Sequence, residues 1–345
     1  MVGIISYGAY IPKYRIKVEE IAKIYGEDPN FIKKNLLIEE KSVPGIDEDS
    51  LTLGVESSLN ALKKVDIDKK KIGAVYSGSE SKVYEVKPNA SILGEILGIG
   101  DNYTSADIEF ACKAGTAALQ MVFGLAKSGF IDYGLAIGTD TSQATPGDIL
   151  EYTASAGAAS FIVGNKKEEI IAELENMCSV SSDTPDFWRR PLQRYPIHTE
   201  RFTWAPSYFK HIITCTRLLM KKANIGIDDI NHAAFHTPNG KFPLNVGDAL
   251  GIPKEKLKSN LIASKIGNTY SASSLLVLTN ILDKAKPNER VLVTSYGGGA
   301  GSDSFLFRVT NNIKKLRKAR TTQQYIDEKE YVDYAKYCKF TGAIK

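Results

Sequence analysis

The 345-residue sequence has no apolar run approaching the roughly 18 residues that a bilayer span requires, so no membrane partner is expected. Its opening, M-V-G-I-I-S-Y-G-A-Y-I-P, lacks a basic leader and a small-residue cleavage pattern; it reads as a first strand ending at Pro12, and a cytoplasmic location is expected. Cysteine is scarce. Cys112, Cys178, Cys215 and Cys338 lie far apart with no C-x-x-C, which argues against a zinc knuckle or a disulfide framework. Reduced thiols and no metal are expected. Charge of one sign is concentrated only at the end, where residues 311–345 carry nine Lys/Arg against four Asp/Glu. That basic stretch lacks interleaved glycine and any recognition pattern, so it is read as a solvated surface helix and nucleic acid is not expected. The dinucleotide signature is also missing. The run Y-G-G-G-A-G-S-D-S, which contains Gly298, leads into another strand rather than a helix, so it is read as a loop presenting backbone N–H groups, and no cofactor is expected.

What is present is an alternation of short β-branched runs with amphipathic helices, the pattern of an α/β fold. Strands are expected at 72–77, 103–110, 134–139, 159–163, 233–236, 260–263, 291–295 and 304–309. Helices are expected at 51–65, 113–127, 208–223 and 272–283. An internal repeat emerges when these are aligned. The strand opening at Ile72 matches that at Ile230, the strand-to-helix junction at Cys112 matches that at Asn268, and the stretch from Tyr133 matches that from Arg290. Three elements at nearly one period indicate a duplicated domain. The expected halves are 1–166 and 167–310, followed by the basic extension 311–345. In such a duplication the strand ends face each other across a pseudo-twofold axis, so their polar residues converge on one site.

Four strand-end residues carry chemistry. Cys112, in E-F-A-C-K-A-G-T, sits where a strand gives way to an alanine-rich helix, and the helix N-terminus together with Lys113 would favour thiolate. Glu80, in Y-S-G-S-E-S-K, would act as a general base if water is excluded. His236, in F-H-T-P-N-G-K, would protonate or hydrogen-bond a carbonyl oxygen. Asn268, in K-I-G-N-T-Y-S, would donate to an oxygen near the thiol, and Gly267 beside it suggests an unusual backbone. Each has an ordinary alternative: a packed cysteine, a solvated loop glutamate, a satisfied core histidine, a simple turn. The remaining three cysteines are assigned to packing or surface.

Taken together, G-S-E-S-K, A-C-K-A-G-T-A-A-L, F-H-T-P-N-G-K, G-N-T-Y-S-A-S and Y-G-G-G-A-G resemble the initial-condensation branch of the thiolase superfamily, most closely hydroxymethylglutaryl-CoA synthases of the archaeal kind. The segment D-F-W-R-R-P-L-Q-R-Y-P-I-H looks like an insertion particular to that family. The likeness implies a five-layered αβαβα fold, a homodimer, and a ping-pong condensation of acetyl-CoA with acetoacetyl-CoA. Cys112 would carry the acetyl group, Glu80 would be the base, and His236 and Asn268 would hold the second substrate. The resemblance also assigns substrate contacts to Asp28, Thr153, Thr203 and Lys241. Gly298 stands where many relatives have serine, leaving only its backbone N–H for a role. A complex with an acetoacetyl-CoA thiolase and a small zinc-ribbon/OB-fold protein is a further implication. The competing readings are a chain-initiating ketoacyl-acyl-carrier-protein synthase, which needs no base at Glu80, and a non-catalytic scaffold. A degradative thiolase would need a second cysteine in a C-x-G context, which is missing.

Overall fold

The computed structural model describes residues 1–142, 144–199 and 203–344. Its strands are β1 (Gly3–Tyr10), β2 (Tyr14–Lys17), β3 (Glu40–Val43), β4 (Ile72–Gly78), β5 (Thr104–Ile108), β6 (Tyr133–Thr141), β7 (Ala156–Gly164), β8 (Ala172–Ser181), β9 (Phe187–Trp188), β10 (Ile197–His198), β11 (His232–Phe235), β12 (Arg290–Thr294), β13 (Gly301–Val309) and β14 (Glu330–Tyr331). The helices are α1 (Val18–Tyr25), α2 (Pro29–Leu36), α3 (Ser50–Lys63), α4 (Asn89–Leu97), α5 (Ala114–Lys127), α6 (Lys210–Ala223), α7 (Phe242–Leu250), α8 (Ala263–Ile266), α9 (Ser273–Leu282), α10 (Thr322–Asp327) and α11 (Tyr334–Phe340).

Nine strands form one sheet in the order β11-β12-β13-β8-β1-β7-β6-β4-β5. Read outward from the β1–β8 seam, the two arms use the same pairing. β7 is antiparallel to β1, β6 antiparallel to β7, and β4 parallel to β6; on the other side the series β13, β12, β11 repeats it. The seam is short, joining Gly3 to Glu173 and Ile4 to Ala172. Helices α5 and α9 lie between the arms in a core shared by Val122, Phe123, Leu275, Val277, Phe161, Val293 and Phe305. α3 and α4 cover the outer face of one arm through Ala61, Leu93 and Leu97. α6 and α7 cover the other through Ile212, Leu219 and Val246. The result is the five-layered αβαβα architecture. Both central helices are apolar almost all round, as helices packed on two faces must be; every residue of α9 is buried.

Two expectations fail. No strand forms at 260–263, because residues 254–262 wind as a helical turn that leads into α8. The run N-L-I-A is too short for periodicity to separate strand from helix. Instead of a tenth strand, the buried Asn260 amide covers the open edge of β11. It donates to the Ala233 carbonyl at 2.7 Å and accepts from the Phe235 N–H at 2.8 Å. One side chain thereby satisfies edge groups that would otherwise be orphaned.

The basic extension is also not a solvated helix. β14 pairs in parallel with β2, and Tyr325, Ile326, Val332, Tyr337 and Cys338 are buried. The lysine-rich composition of 314–320 hides these apolar positions, which recur only farther along. The extension is pinned by polar contacts as well. Tyr334 donates to Glu151 at 2.9 Å, the buried Lys41 to Tyr337 at 3.1 Å, and Arg194 to the Thr341 carbonyl at 3.0 Å.

Candidate active site

Cys112 occupies a single 3₁₀ turn, Ala111–Lys113, that opens α5; Ala111 takes φ 42° to make the bend. The Asn268 region contains a matching turn, Tyr270–Ala272, which opens α9 and begins with Tyr270 at φ 51°. Matched turn for turn, the counterpart of Cys112 is therefore Ser271, and Asn268 lies three residues upstream. The sequence match aligned the junctions but not their register. Ser271 points into the sheet, donating to the Gly78 and Thr139 carbonyls at 3.0 and 3.2 Å.

Asn268 is set by Gly267, whose φ of 77° and ψ of −161° suit glycine alone. A Cβ there would lie 2.5 Å from the Thr153 carbonyl. The Asn268 N–H donates to that carbonyl at 2.7 Å, and its side-chain oxygen accepts from the Tyr270 N–H at 2.9 Å.

Cys112 Sγ donates to Glu80 Oε1 at 3.2 Å. The carboxylate of Asp140, at the end of β6, organises the Glu80 loop. Its Oδ1 accepts from Ser79 Oγ, Ser81 Oγ and the N–H groups of Glu80 and Ser81, and its Oδ2 from the Ser271 N–H. One buried carboxylate thus ties the Glu80 loop to the second turn. Burial first, then the negative charge of Asp140, pushes the Glu80 carboxyl up to about 8, while the Cys112 hydrogen bond and Arg189 oppose the shift. Burial also raises the Cys112 thiol well above its ordinary value, and the adjacent Glu80 charge adds to this. The expected thiolate is not the resting form. Lys113 does not supply the expected positive charge, because its Nζ is paired with the buried Asp303 at 3.1 Å. With desolvation and two carboxylates against it, the helix terminus does not prevail.

His236 is buried, its backbone N–H donates to the Thr294 carbonyl, and its ring lies beside those of Tyr208 and Tyr296. Burial lowers its imidazole to about 3. It is therefore neutral near pH 7, a state in which the ring can hydrogen-bond but carries no positive charge. Its Nδ1 is a buried polar atom without a partner.

Cys112, His236, Asn268, Thr153, Thr203 and Gly298 share the wall of one cavity of about 800 Å³. Glu80 does not line it. Glu80 lines a second, smaller cavity, and the Cys112–Glu80 hydrogen bond joins the two. Gly298 is explained by packing, since a Cβ would lie 2.7 Å from Phe187 Cβ. Asp28 and Lys241 are outside the wall. Asp28 is exposed and caps α2 by accepting from the Asn30 N–H at 2.9 Å. Lys241 is exposed just before α7, between the cavity residues Asn239 and Phe242.

Sequence reasoning missed Asp140 and Asp186. Asp186 is buried, accepts from Tyr296 Oη, and holds the glycine loop through the Gly299 N–H at 2.8 Å. The signal for Asp140 was an aspartate ending an apolar strand; Asp186 opens the insertion. Among the described residues no group of three or more His, Cys, Asp or Glu is placed to hold a metal, and no helix is long and apolar enough to cross a membrane.

Residues 220–309 match the family model for the C-terminal part of 3-oxoacyl-[acyl-carrier-protein] synthase III. The chain is 53% identical over 346 residues to a hydroxymethylglutaryl-CoA synthase of Methanocaldococcus jannaschii and 52% identical over 345 residues to one of Archaeoglobus fulgidus, with all of each chain covered. The chain belongs to the hydroxymethylglutaryl-CoA synthase family. As a hydroxymethylglutaryl-CoA synthase it is an acyltransferase, and the chain-initiating synthase and the scaffold are not favoured. The fold agrees. A solved HMG-CoA synthase complexed with CoA superimposes with a TM-score of 0.84 at 23% identity, covering 98% of this chain and 89% of that one. An MvaS structure in complex with 3-hydroxy-3-methylglutaryl coenzyme A gives 0.85 at 20% identity, covering 98% and 91%.

Proposed function

We propose that this enzyme condenses acetyl-CoA with acetoacetyl-CoA and water to give 3-hydroxy-3-methylglutaryl-CoA and CoA, with Cys112 as the acyl carrier. The observation that carries the reading is the 3.2 Å contact between the buried Cys112 thiol and the partly buried Glu80 carboxylate at the edge of a cavity lined by His236 and Asn268. In the first step Cys112 Sγ attacks the acetyl carbonyl, its proton passes to Glu80, and the C–S bond to CoA breaks as Glu80 returns that proton to the departing CoA sulfur. Gly298 lies in the same wall, and its backbone N–H is suited to the oxyanion. Loss of one such donor typically costs about 10²–10³ in rate. In the second step Glu80 takes a methyl proton from the acetyl-thioester. The enolate attacks the C3 carbonyl of acetoacetyl-CoA, which accepts hydrogen bonds from neutral His236 and from Asn268, and the alkoxide so formed takes the proton from Glu80, returning it to the carboxylate. Water then cleaves the Cys112 thioester and releases the product.

Thr153 and Thr203 are read as contacts to the acyl part, and Lys241 as a point charge near the cavity for a CoA phosphate. The Asp28 assignment finds no support in the cavity wall; α2 carries it about 12 Å from Leu36, which does line the cavity. Halves at 1–166 and 167–310, a cytoplasmic homodimer, and a complex with a thiolase and a zinc-ribbon/OB-fold protein complete the proposal. The deciding experiment incubates the protein with both thioesters and identifies the product. 3-Hydroxy-3-methylglutaryl-CoA supports the reading; turnover of malonyl-acyl-carrier-protein in place of acetoacetyl-CoA contradicts it.

A further inference from the structure

The insertion 186–198 folds as a hairpin, β9 and β10, over the Glu80 side of the site. Its tip carries Arg189 and Arg194, which enter none of the steps above. Arg189 donates from one guanidinium nitrogen to the Glu80 backbone carbonyl at 3.1 Å and from the other to the Gln193 carbonyl at 3.2 Å. Arg194 donates to the Thr341 carbonyl in the C-terminal extension. Together with Glu80, Ser81, Ser142 and Tyr270 these side chains enclose the smaller cavity of about 290 Å³. Tyr270 and Pro196 line both cavities and form the partition between them.

The two cavities differ in chemistry. The larger presents Phe187, Trp204, Tyr208 and Phe242, suited to a thioester chain. The smaller is rich in hydroxyls and charge and has room for several waters, each able to find two or more polar partners. Once a condensed acyl-CoA fills the larger cavity, that route to the Cys112 thioester is closed. The remaining approach runs past Glu80.

Resting on the proposed condensation, we propose that the smaller cavity is the port through which hydrolytic water reaches the Cys112 thioester, with Arg189 a positioning residue that holds Glu80 in line with it. The Glu80 backbone is clamped from both sides, its N–H by Asp140 and its carbonyl by Arg189. Freeing one side lets the carboxylate drift from the line between water and thioester. In the step itself water adds to the thioester carbonyl, its proton passes to Glu80, the C–S bond breaks, and the Cys112 sulfur leaves, taking the proton back to reform the thiol.

The test separates the half-reactions by quenched-flow sampling and intact-protein mass spectrometry. Arg189→Gln removes the clamp, Arg189→Lys is the conservative control, and Ser142→Leu fills the cavity from its rim. With acetyl-CoA alone, Ser142→Leu should acetylate Cys112 at the wild-type rate, while Arg189→Gln, which loosens the carboxylate that takes the thiol proton, should slow acetylation much less than it slows release. With both thioesters they should accumulate the condensed adduct on Cys112, its release slowed about 10- to 100-fold. Arg189→Lys should recover part of that rate. Unchanged release in both Arg189→Gln and Ser142→Leu overturns the water port, as does an equal slowing of acetylation and release. Failure of the wild-type protein to acetylate at all would instead overturn the proposed function.

Discussion

The turns Ala111–Lys113 and Tyr270–Ala272 both begin with a residue at positive φ, and both lead into a buried central helix. In the first, the second residue is a thiol facing a cavity and a carboxylate. In the second, it is a hydroxyl sunk into the sheet, tied to Gly78 and Thr139, while its N–H anchors Asp140. One copy of the duplicated turn has kept the reactive position and the other has become its scaffold. The amide proposed to hold the second substrate, Asn268, lies just upstream, held by the Gly267 bend. Duplication supplied a geometry rather than two active sites, and a single buried aspartate couples the copies.

Changes on the reactive side should strike activity far harder than changes on the scaffold side. The largest expected effect is that of Glu80→Gln, which should leave acetylation detectable and lower condensation about 10²–10⁴-fold, the span of general-base contributions. Steady-state rates with both thioesters check this. Asn268→Ala should lower condensation about 10²-fold while leaving acetylation of Cys112 near normal, as expected for the loss of one oxyanion donor.

The pH dependence comes next. The base form of Glu80 dominates only above its raised value, so condensation should rise with pH and level off above about 8. The sign for stability is opposite. A carboxylate raised on folding binds more protons in the folded than in the unfolded state, so stability falls as pH rises from the ordinary carboxylate range toward 8. Glu80→Gln should therefore melt higher than the wild type at pH 8, with the gap closing near pH 4; calorimetry at the two pH values checks it. The smallest effect on activity is expected on the scaffold side. Ser271→Ala should cost about 1–2 kcal/mol of stability, measured by denaturant unfolding, with acetylation of Cys112 unchanged. A large loss of acetylation in Ser271→Ala would mean the turns are not divided between chemistry and support.

Much of this was legible in the sequence. Cys112, His236 and Asn268 were placed together because strand ends in a duplicated α/β fold converge, and the structure puts them on one cavity wall with Glu80 in contact with the thiol. The charge state was not legible. A helix N-terminus and a neighbouring lysine suggested thiolate, but a pattern in one dimension does not reveal that Lys113 is spent on Asp303 and that Asp140 lies behind Glu80. The missing strand at 260–263 failed for a similar reason. A single asparagine side chain imitates a peptide edge, and only the fold shows which edge needs it. The basic extension misled because its charges come first in sequence and its buried aromatics come later.

The central claim is that Cys112 is the nucleophile in a site shared with Glu80. The most direct measurement is intact-protein and peptide mass spectrometry after brief exposure to acetyl-CoA. One acetyl group on the Cys112 peptide, lost in Cys112→Ala and retained in Ser271→Ala, is the expected result. An acetyl group that persists in Cys112→Ala, or that maps to Cys178, Cys215 or Cys338, would contradict the account.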